Sequence, residues 1–114
     1  MSLKNYNKPT LRLPSWVENA VVYQIFPDRF KRSKKSYKKN NFEFMNWENP
    51  PHLQGFRGGD LFGVIEKLDY LKEIGINCIY LNPIFSSAAN HRYHTYDYFK
   101  IDPILGGDEA LYSL

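Results

Sequence analysis

Two short apolar runs are the clearest feature in the pattern of hydrophobic and polar positions along this chain. The first extends from Ala20 to Phe26 and stops at Pro27, and the second extends from Ile76 to Leu81 and stops at Asn82. Continuous apolar runs of this length, rich in β-branched and aromatic residues, are typical of strands that are buried on both faces. We therefore predict two buried strands.

The segment between the two runs predicts a helix. Its apolar residues recur at spacings of three and four, while its charged residues fall on the opposite face. The resulting apolar stripe consists of Leu61, Val64, Ile65, Leu68, Leu71 and Ile74. Asp60 is the predicted N-cap of this helix and Gly75 its predicted C-cap, because these residue types favour the two ends.

Strand, helix and strand in this order predict a βαβ unit with parallel strands, and hence an α/β fold class. Two strands and one helix can neither close a barrel nor cover an open sheet, so we expect an incomplete fold that belongs to a larger domain. A further helix is predicted to begin near Asp108. Exposed strand edges and apolar faces promote association, so we expect the isolated chain to be partly folded or to aggregate.

The remaining segments are polar. Residues 1–15 carry two prolines and no periodicity, which indicates an N-terminal arm or linker before a structured segment at 16–114. Residues 28–58 show no regular element, and they include a cationic run from Lys31 to Lys39. A loop of this length inside a compact domain is usually functional or mobile.

Composition narrows the classes of partner. The net charge of +3 at pH 7 comes from the cationic run, which has no groove-reading element beside it, so we expect no nucleic-acid partner. The chain has no apolar stretch of the ~18 residues that a membrane span needs and no secretory signal, so we expect no membrane association and a cytoplasmic location. The single cysteine, Cys78, excludes an internal disulfide, and its apolar neighbours predict a buried, inert thiol. The aromatic content of 17% suits either sugar binding or a tyrosine-rich core.

Four segments, taken in order, resemble one family. They are WVENAVVYQIFPDRF at 16–30, GGDLFGVIEKLDYLKEIGIN at 58–77, IYLNPIF at 79–85 and NHRYHTYDYFKIDP at 90–103. With these segments the chain resembles the α-amylase superfamily, glycoside hydrolase family 13, in its cyclomaltodextrinase, neopullulanase and maltogenic amylase branch. The resemblance implies that the βαβ unit is the first portion of a (β/α)8 TIM barrel. It also places the segment after the second strand on the active-site face of that barrel.

The resemblance implies a retaining α-glucan hydrolase that acts on α-1,4 bonds, with α-1,6 bonds as an open alternative, in maltodextrins, cyclodextrins or pullulan. Such chemistry needs a carboxylic acid and a carboxylate nucleophile beside the scissile bond. In the family, these two residues and a third, transition-state-stabilising aspartate lie on later strands, and none of their motifs occurs in the 114 residues. We therefore name no catalytic residue and expect the chain alone to be inactive.

The same resemblance implies a set of substrate-binding residues. Tyr93 matches the family tyrosine that stacks on the sugar ring next to the scissile bond, and His91 matches a histidine that contacts the same sugar. Tyr23 and Asp97 complete the predicted set. Tyr23 falls at the pocket floor, with barrel core as the alternative, and Asp97 is expected to brace the loop. His94 departs from the pattern, because most relatives carry aspartate there, and its role stays open.

Calcium is the metal that relatives in this branch often bind after the first strand, in a loop completed by a Gly-Gly-Asp turn. Gly58 and Asp60 are the remnants of that site here, because KRSKK at 31–35 replaces the anionic ligands. Calcium takes about six to eight oxygen ligands, so we expect no metal, no other cofactor, and Asp60 as a helix cap. The resemblance further implies that the full-length form is a homodimer with an α-glucan oligosaccharide as its substrate.

Two other functions stay open. One is a non-catalytic carbohydrate-binding module that uses Tyr93, His91 and Trp47 as a sugar platform. The other is a basic interaction module built around the cationic run. Sequence that continues past Leu114 into the catalytic motifs would favour the enzyme, whereas a natural stop at that residue would favour the binding module.

Overall fold

The computed structural model describes residues 12–35 and 43–114. Its strands and helices are, in chain order, β1 (Val22–Ile25), α1 (Pro27–Phe30), α2 (Leu61–Glu66), α3 (Leu68–Glu73), β2 (Cys78–Leu81), β3 (Phe85–Ser87), β4 (Thr95–Ile101) and α4 (Gly107–Ser113). Short 3₁₀ helices lie at Val17–Asn19 and Pro103–Leu105. Most of the predicted N-terminal arm, residues 1–11, and the end of the cationic run, Lys38 and Lys39, lie outside the described residues.

The two predicted strands form a parallel pair. Val22 in β1 lies opposite Cys78 in β2, and the register continues to Ile25 opposite Leu81. The connection between them runs through α2 and α3, so the predicted βαβ unit is confirmed. The predicted helix near Asp108 is also confirmed, as α4.

The prediction of one continuous helix between the strands is wrong at its centre, because α2 and α3 are separated at Lys67. The Lys67 N–H donates to the Val64 carbonyl at 3.0 Å, a bond to the third preceding residue that tightens the last turn of α2. Helix α3 then resumes with the Leu71 N–H donating to the Lys67 carbonyl. Ile74, the last residue of the predicted stripe, is exposed.

Both ends of the predicted helical segment are confirmed. Asp60 Oδ1 accepts a hydrogen bond from the Gly63 N–H at 2.6 Å, which makes Asp60 the N-cap. Gly75 lies one residue beyond the C-cap and adopts a φ of +90°. The Ile76 N–H donates to the Leu71 carbonyl at 3.0 Å, so the helix ends in a Schellman-type turn that requires the left-handed glycine.

The predicted burial of both strand faces is wrong within this chain. Tyr23 and Ile25 face α2 and α3, but on the opposite face Val22 is 55% exposed and Tyr80 is 59% exposed. The physical reason is that no described element covers that second face, which in a TIM barrel points to the packed interior. Cys78 lies on the same strand pair and is half-buried, so the prediction of a buried thiol is also wrong.

Helix α1 and the two strands β3 and β4 were not predicted. The polar segment from residue 28 contains the end of α1, a one-turn helix with Pro27 at its first position, where proline is well tolerated. Strands β3 and β4 form an antiparallel hairpin with Phe85 opposite Ile101 and Ser87 opposite Thr95. The hairpin carries register irregularities around Ser86, and its first strand is too short to show a periodic pattern.

The core consists of two hydrophobic clusters that meet along α2. One cluster joins Leu61 and Phe62 to the end of β4 and to α4 through Ile101, Leu105 and Ala110. The other joins Val64 to Ile25 of β1 and Leu71 of α3. Helix α2 contributes to both clusters, so the hairpin is anchored to the βαβ unit.

Candidate functional site

The loop between β3 and β4 presents two aromatic side chains beyond the end of β2. The Tyr93 ring is 61% exposed, and the centroid of the His91 ring lies 5.7 Å from its centroid at an interplanar angle of 37°. The Tyr93 backbone N–H donates to His91 Nδ1 at 3.0 Å. These two predicted substrate-binding residues are therefore adjacent and held in a defined relative position.

The hydrogen bond to His91 determines which ring nitrogen carries the proton. Because Nδ1 accepts from the Tyr93 N–H, we assign the neutral tautomer with hydrogen on Nε2. His91 then offers an N–H donor, and Tyr93 offers an exposed ring face with a hydroxyl at its tip. An apolar ring face beside a neutral donor suits a sugar, whose rings have apolar faces and hydroxyl edges.

Arg92, between the two aromatic residues, fixes the loop and was not predicted. It is fully buried and adopts a φ of +60°, in the left-handed region that is unfavourable for a residue with a side chain. Its Nε donates to Asp102 Oδ2 at 2.8 Å, and its Nη1 donates to the Asn90 carbonyl at 2.8 Å. The guanidinium lies 5.4 Å from the Phe56 ring centroid, and Nη2 has no hydrogen-bond partner among the described residues.

Asn90 connects this loop to a distant segment and was also not predicted. Its Nδ2 donates to the Leu53 carbonyl at 3.1 Å and to the Gly55 carbonyl at 2.9 Å. Residues 51–55, which belong to the segment predicted to be an irregular loop, therefore lie beside the loop that carries His91 and Tyr93. Neither contact could be found from spacing in the sequence, because the partners lie far apart along the chain.

The other two predicted site residues lie elsewhere. The Tyr23 ring is half-buried in β1, with its centroid 6.2 Å from the Phe30 ring centroid. Asp97 lies in β4, where its Oδ1 accepts from the Phe99 N–H at 2.9 Å. Over the described parts of the chain, no hydrogen bond or ring contact joins Tyr23 or Asp97 to the His91–Tyr93 pair. His94 does join it, with its ring centroid 5.1 Å from that of His91 in an edge-on arrangement.

The buried carboxylates nearby are occupied by structural hydrogen bonds. Asp28 accepts from the backbone N–H groups of Arg57 at 3.0 Å and Gly58 at 3.1 Å, which fastens α1 to the turn before α2. Asp102 binds Arg92 and also accepts from the Ile104 N–H at 2.9 Å. Carboxylates held in this way stabilise backbone and are poorly placed to act as an acid and nucleophile pair.

Gly58 and Asp60, which the resemblance relates to a calcium site in relatives, are engaged in hydrogen bonds within the chain. Asp60 Oδ1 caps α2, and its Oδ2 accepts from Ser33 Oγ at 2.9 Å, so hydrogen-bond donors surround both oxygens. Gly58 has a φ of +81° and donates its N–H to Asp28. Within residues 12–35 and 43–114, no cluster of three or more His, Cys, Asp and Glu side chains is arranged to hold a metal ion.

Two arginine side chains hold the backbone carbonyls of the loop at residues 45–50. The buried Arg57 side chain donates to four backbone carbonyls in the loop before it, those of Asn46, Trp47, Asn49 and Pro50. Arg32 adds hydrogen bonds to the carbonyls of Arg57 and Met45. Two fixed positive charges of the chain itself therefore organise residues 45–50.

Comparison with known proteins identifies the class. Residues 24–114 match the family model of the α-amylase catalytic domain, and the chain belongs to this family of α-amylase-type glycoside hydrolases. The resemblance found in the sequence is thereby confirmed. Over the part of the chain that the structure describes, no helix has the length and apolar character required to cross a membrane.

Individual relatives cover most of this chain. It is 45% identical over 106 residues to the intracellular maltogenic amylase of Bacillus subtilis (strain 168), a match covering 92% of this chain and 18% of the relative. It is 50% identical over 101 residues to the cyclomaltodextrinase of Thermoanaerobacter pseudethanolicus, a match covering 89% of this chain and 17% of the relative. The structure of cyclic α-maltosyl-(1→6)-maltose hydrolase from Arthrobacter globiformis, in complex with that sugar, aligns with a TM-score of 0.81 at 41% identity, covering 88% of this chain and 22% of that one.

The chain thus spans less than a fifth of the length of these two curated relatives. Together with the parallel βαβ unit, this defines the fold as an incomplete part of a TIM barrel of the α-amylase type.

Proposed function

We propose that this chain forms part of the substrate-binding side of a retaining α-glucan hydrolase. The hydrolase acts on α-1,4 bonds in maltodextrins, cyclodextrins or pullulan, and α-1,6 bonds are a second class of bond that we propose for it. The observation that carries the proposal is the His91–Tyr93 pair, fixed beyond the carboxyl end of β2 by a buried ion pair. The α-amylase family match and the names of the relatives support the substrate class.

Each member of the pair has a distinct task. Tyr93 stacks its ring on the apolar face of a glucosyl unit and excludes water from the adjacent bond. His91 donates its Nε2 hydrogen to a hydroxyl of the same unit, because its Nδ1 is already used by the Tyr93 N–H. Tyr23 serves instead as core packing against Phe30, and Asp97 orders β4 through the Phe99 N–H.

The hydrolytic step needs two carboxyl groups that this chain does not supply. Its buried aspartates are bonded to backbone N–H groups, and the sequence contains none of the family motifs for the nucleophile or the acid. We therefore expect the 114-residue chain alone not to hydrolyse α-glucans. Within the whole protein we propose no calcium at Gly58 and Asp60, a cytoplasmic location and a homodimer; the word intracellular in the name of one relative supports the location.

The test uses a hybrid enzyme. In it, the segment of the Bacillus subtilis maltogenic amylase that matches this chain is replaced by the corresponding residues of this chain. We expect the hybrid to release reducing sugar from maltoheptaose and β-cyclodextrin, and its Tyr93→Ala variant to be impaired. A folded hybrid whose activity is unchanged by Tyr93→Ala would refute the proposed role of the pair.

A binding module without catalysis has less support. Trp47, the third residue of that sugar platform, is half-buried and lies 6.0 Å from the Arg32 guanidinium, to which it presents its ring. The hypothesis of a basic interaction module also has less support, because two of its cations already have partners within the chain. Lys35 pairs with Glu109 at 3.1 Å, and Arg32 binds backbone carbonyls. Family membership favours the enzyme over both alternatives.

A further inference from the structure

His94 lies against the His91–Tyr93 pair, and the proposed function gives it no task. Its side chain is exposed, and its ring centroid lies 5.1 Å from that of His91 at an interplanar angle of 63°. An edge-on arrangement of this kind is one of the favourable geometries of aromatic pairs. Among the described residues, Tyr93 and His94 are the two whose rings contact His91.

The backbone of His94 is fixed although its side chain reaches the surface. Its carbonyl accepts a hydrogen bond at 2.8 Å from Oγ of Ser87, a buried residue of β3. The next residue, Thr95 of β4, donates its Oγ1 hydrogen to the Arg92 carbonyl at 3.0 Å. Because the donors of both bonds belong to the hairpin strands, the His94 ring is attached to an ordered segment.

His91 has few contacts of its own to keep its ring in one orientation. It is half-buried, and its side chain makes one hydrogen bond within the part of the chain that the structure describes, from the Tyr93 N–H to Nδ1 at 3.0 Å. A single neutral hydrogen bond at the surface stabilises an orientation only modestly, because water competes for both partners. The orientation of Nε2 therefore depends on a second contact.

The two contacts restrain different motions of the His91 ring. The Tyr93 N–H fixes the position of Nδ1 and, with it, the tautomer. The His94 ring packs edge-on against His91 and occupies space through which the imidazole would have to turn. His91 also lines a cavity of about 330 Å³ beside Asn90, so the restrained ring is one that a ligand can reach.

We propose that His94 is a positioning residue for His91, whose imidazole it holds in the orientation from which Nε2 donates to the sugar. This inference rests on the proposed function, because it assigns the support of a residue in that same site. His94 acts through its ring, without a hydrogen bond of its own to the substrate. A donor that is oriented before the substrate arrives lowers the entropy that binding costs.

The experiment is a double-mutant cycle on the hybrid enzyme with maltoheptaose as substrate. His94→Ala should lower kcat/KM about fivefold, because without the ring contact His91 adopts the competent orientation in a smaller fraction of molecules. His94→Phe keeps a ring edge without any nitrogen and should retain most of kcat/KM. In the His91→Ala background, His94→Ala should cause no further loss, because the residue that it positions is already gone.

Tyr96→Ala is the matched control. Tyr96 is another exposed aromatic residue of the same hairpin, and over the described ranges it has no ring contact with His91. Its replacement should leave kcat/KM unchanged. The circular dichroism spectrum of every variant shows whether it is folded.

Three results would overturn the positioning role while the proposed function stands. The first is an unchanged kcat/KM in the His94→Ala variant, and the second is a loss that is equally large when His91 is already alanine. The third is an equal loss for His94→Phe and His94→Ala, which would assign His94 a hydrogen bond to the sugar. If His91→Ala in a folded hybrid leaves kcat/KM unchanged, the proposed task of His91 is refuted together with its support.

A second measurement reports the orientation directly. In crystal structures of the hybrid variants, we expect the His91 ring in more than one orientation with His94→Ala and in a single orientation with His94→Phe. One unchanged His91 orientation in the alanine variant would overturn the positioning role.

Discussion

Arg92 Nε lies 2.8 Å from Asp102 Oδ2, and both side chains are buried. Arg92 lies in the loop before β4 and Asp102 directly follows the strand, so the ion pair ties that loop to the turn after the strand. The same Arg92 adopts the left-handed backbone conformation between His91 and Tyr93. The geometry of the His91–Tyr93 pair therefore depends on a buried interaction between Arg92 and Asp102.

Breaking this ion pair should destabilise the loop more than removing both charges does. In the hybrid enzyme, Arg92→Ala should cost about 3 kcal/mol of folding stability, because it leaves Asp102 buried without its partner. The double substitution Arg92→Met, Asp102→Leu should cost less. Thermal unfolding measures both, with the exposed Arg12→Ala as control. A single substitution that is milder than the double one would contradict the ion-pair explanation.

Tyr93 should act through its ring face more than through its hydroxyl. Tyr93→Ala should lower kcat/KM of the hybrid for maltoheptaose about tenfold or more, whereas Tyr93→Phe should retain most of it, because stacking needs the ring alone. Tyr112→Ala, which removes an exposed tyrosine on α4, is the control and should have no effect. Equal losses for the phenylalanine and alanine variants would assign the contribution to the hydroxyl instead.

Calcium should not bind at Gly58 and Asp60. Asp60 is occupied as a helix cap, and Arg57 already binds four loop carbonyls. Adding millimolar calcium to the hybrid enzyme should therefore leave amide hydrogen exchange between Gly58 and Asp60 unchanged. A saturable slowing of exchange at these residues would show that they bind the ion.

Arg57→Ala in the hybrid enzyme should loosen the loop at residues 46–50. Without the guanidinium, the carbonyls of residues 46–50 lose their shared donor, so amide hydrogen exchange in this loop should accelerate. Exchange rates that are unchanged in the Arg57 variant would mean that the loop is held by other contacts.

Asp60→Ala should loosen the first turn of α2. It should lower the free energy of unfolding by about 1 kcal/mol, which is typical of a lost N-cap.

The isolated chain should not unfold as a cooperative monomer. One face of the β1–β2 pair is uncovered, with Val22 and Tyr80 more than half exposed. We expect a shallow thermal transition in circular dichroism together with concentration-dependent light scattering. A sharp, reversible transition of a monomer would show that the βαβ unit and hairpin are stable by themselves.

The sequence predicted those elements whose cause is local. The strands follow from continuous apolar runs, and the limits of the helical segment follow from the capping preferences of Asp60 and Gly75. The break at Lys67 and the β3–β4 hairpin depend on single backbone hydrogen bonds and tertiary pairing, which leave no periodic pattern. The prediction that both faces of the β1–β2 pair are buried was wrong for the face that carries Val22 and Tyr80. An apolar run does not show whether the elements that bury it lie within the same stretch of chain.

The candidate site could be predicted from the sequence only in part. Tyr93 and His91 were found through their resemblance to a family motif, and the structure brings them together. Arg92 and Asn90 were missed because their partners are distant in sequence: Asp102 lies 10 residues from Arg92, and Leu53 lies 37 residues from Asn90. Their importance comes from burial and pairing, which only the folded chain reveals.

The most direct test of the central claim is reducing-sugar release from maltoheptaose and β-cyclodextrin by the 114-residue chain, measured beside the hybrid enzyme and its Tyr93→Ala variant. The account predicts no release by the chain alone, clear release by the hybrid, and impaired release by the variant. Hydrolysis by the chain alone would contradict the claim that it contributes sugar binding without the catalytic carboxyl groups.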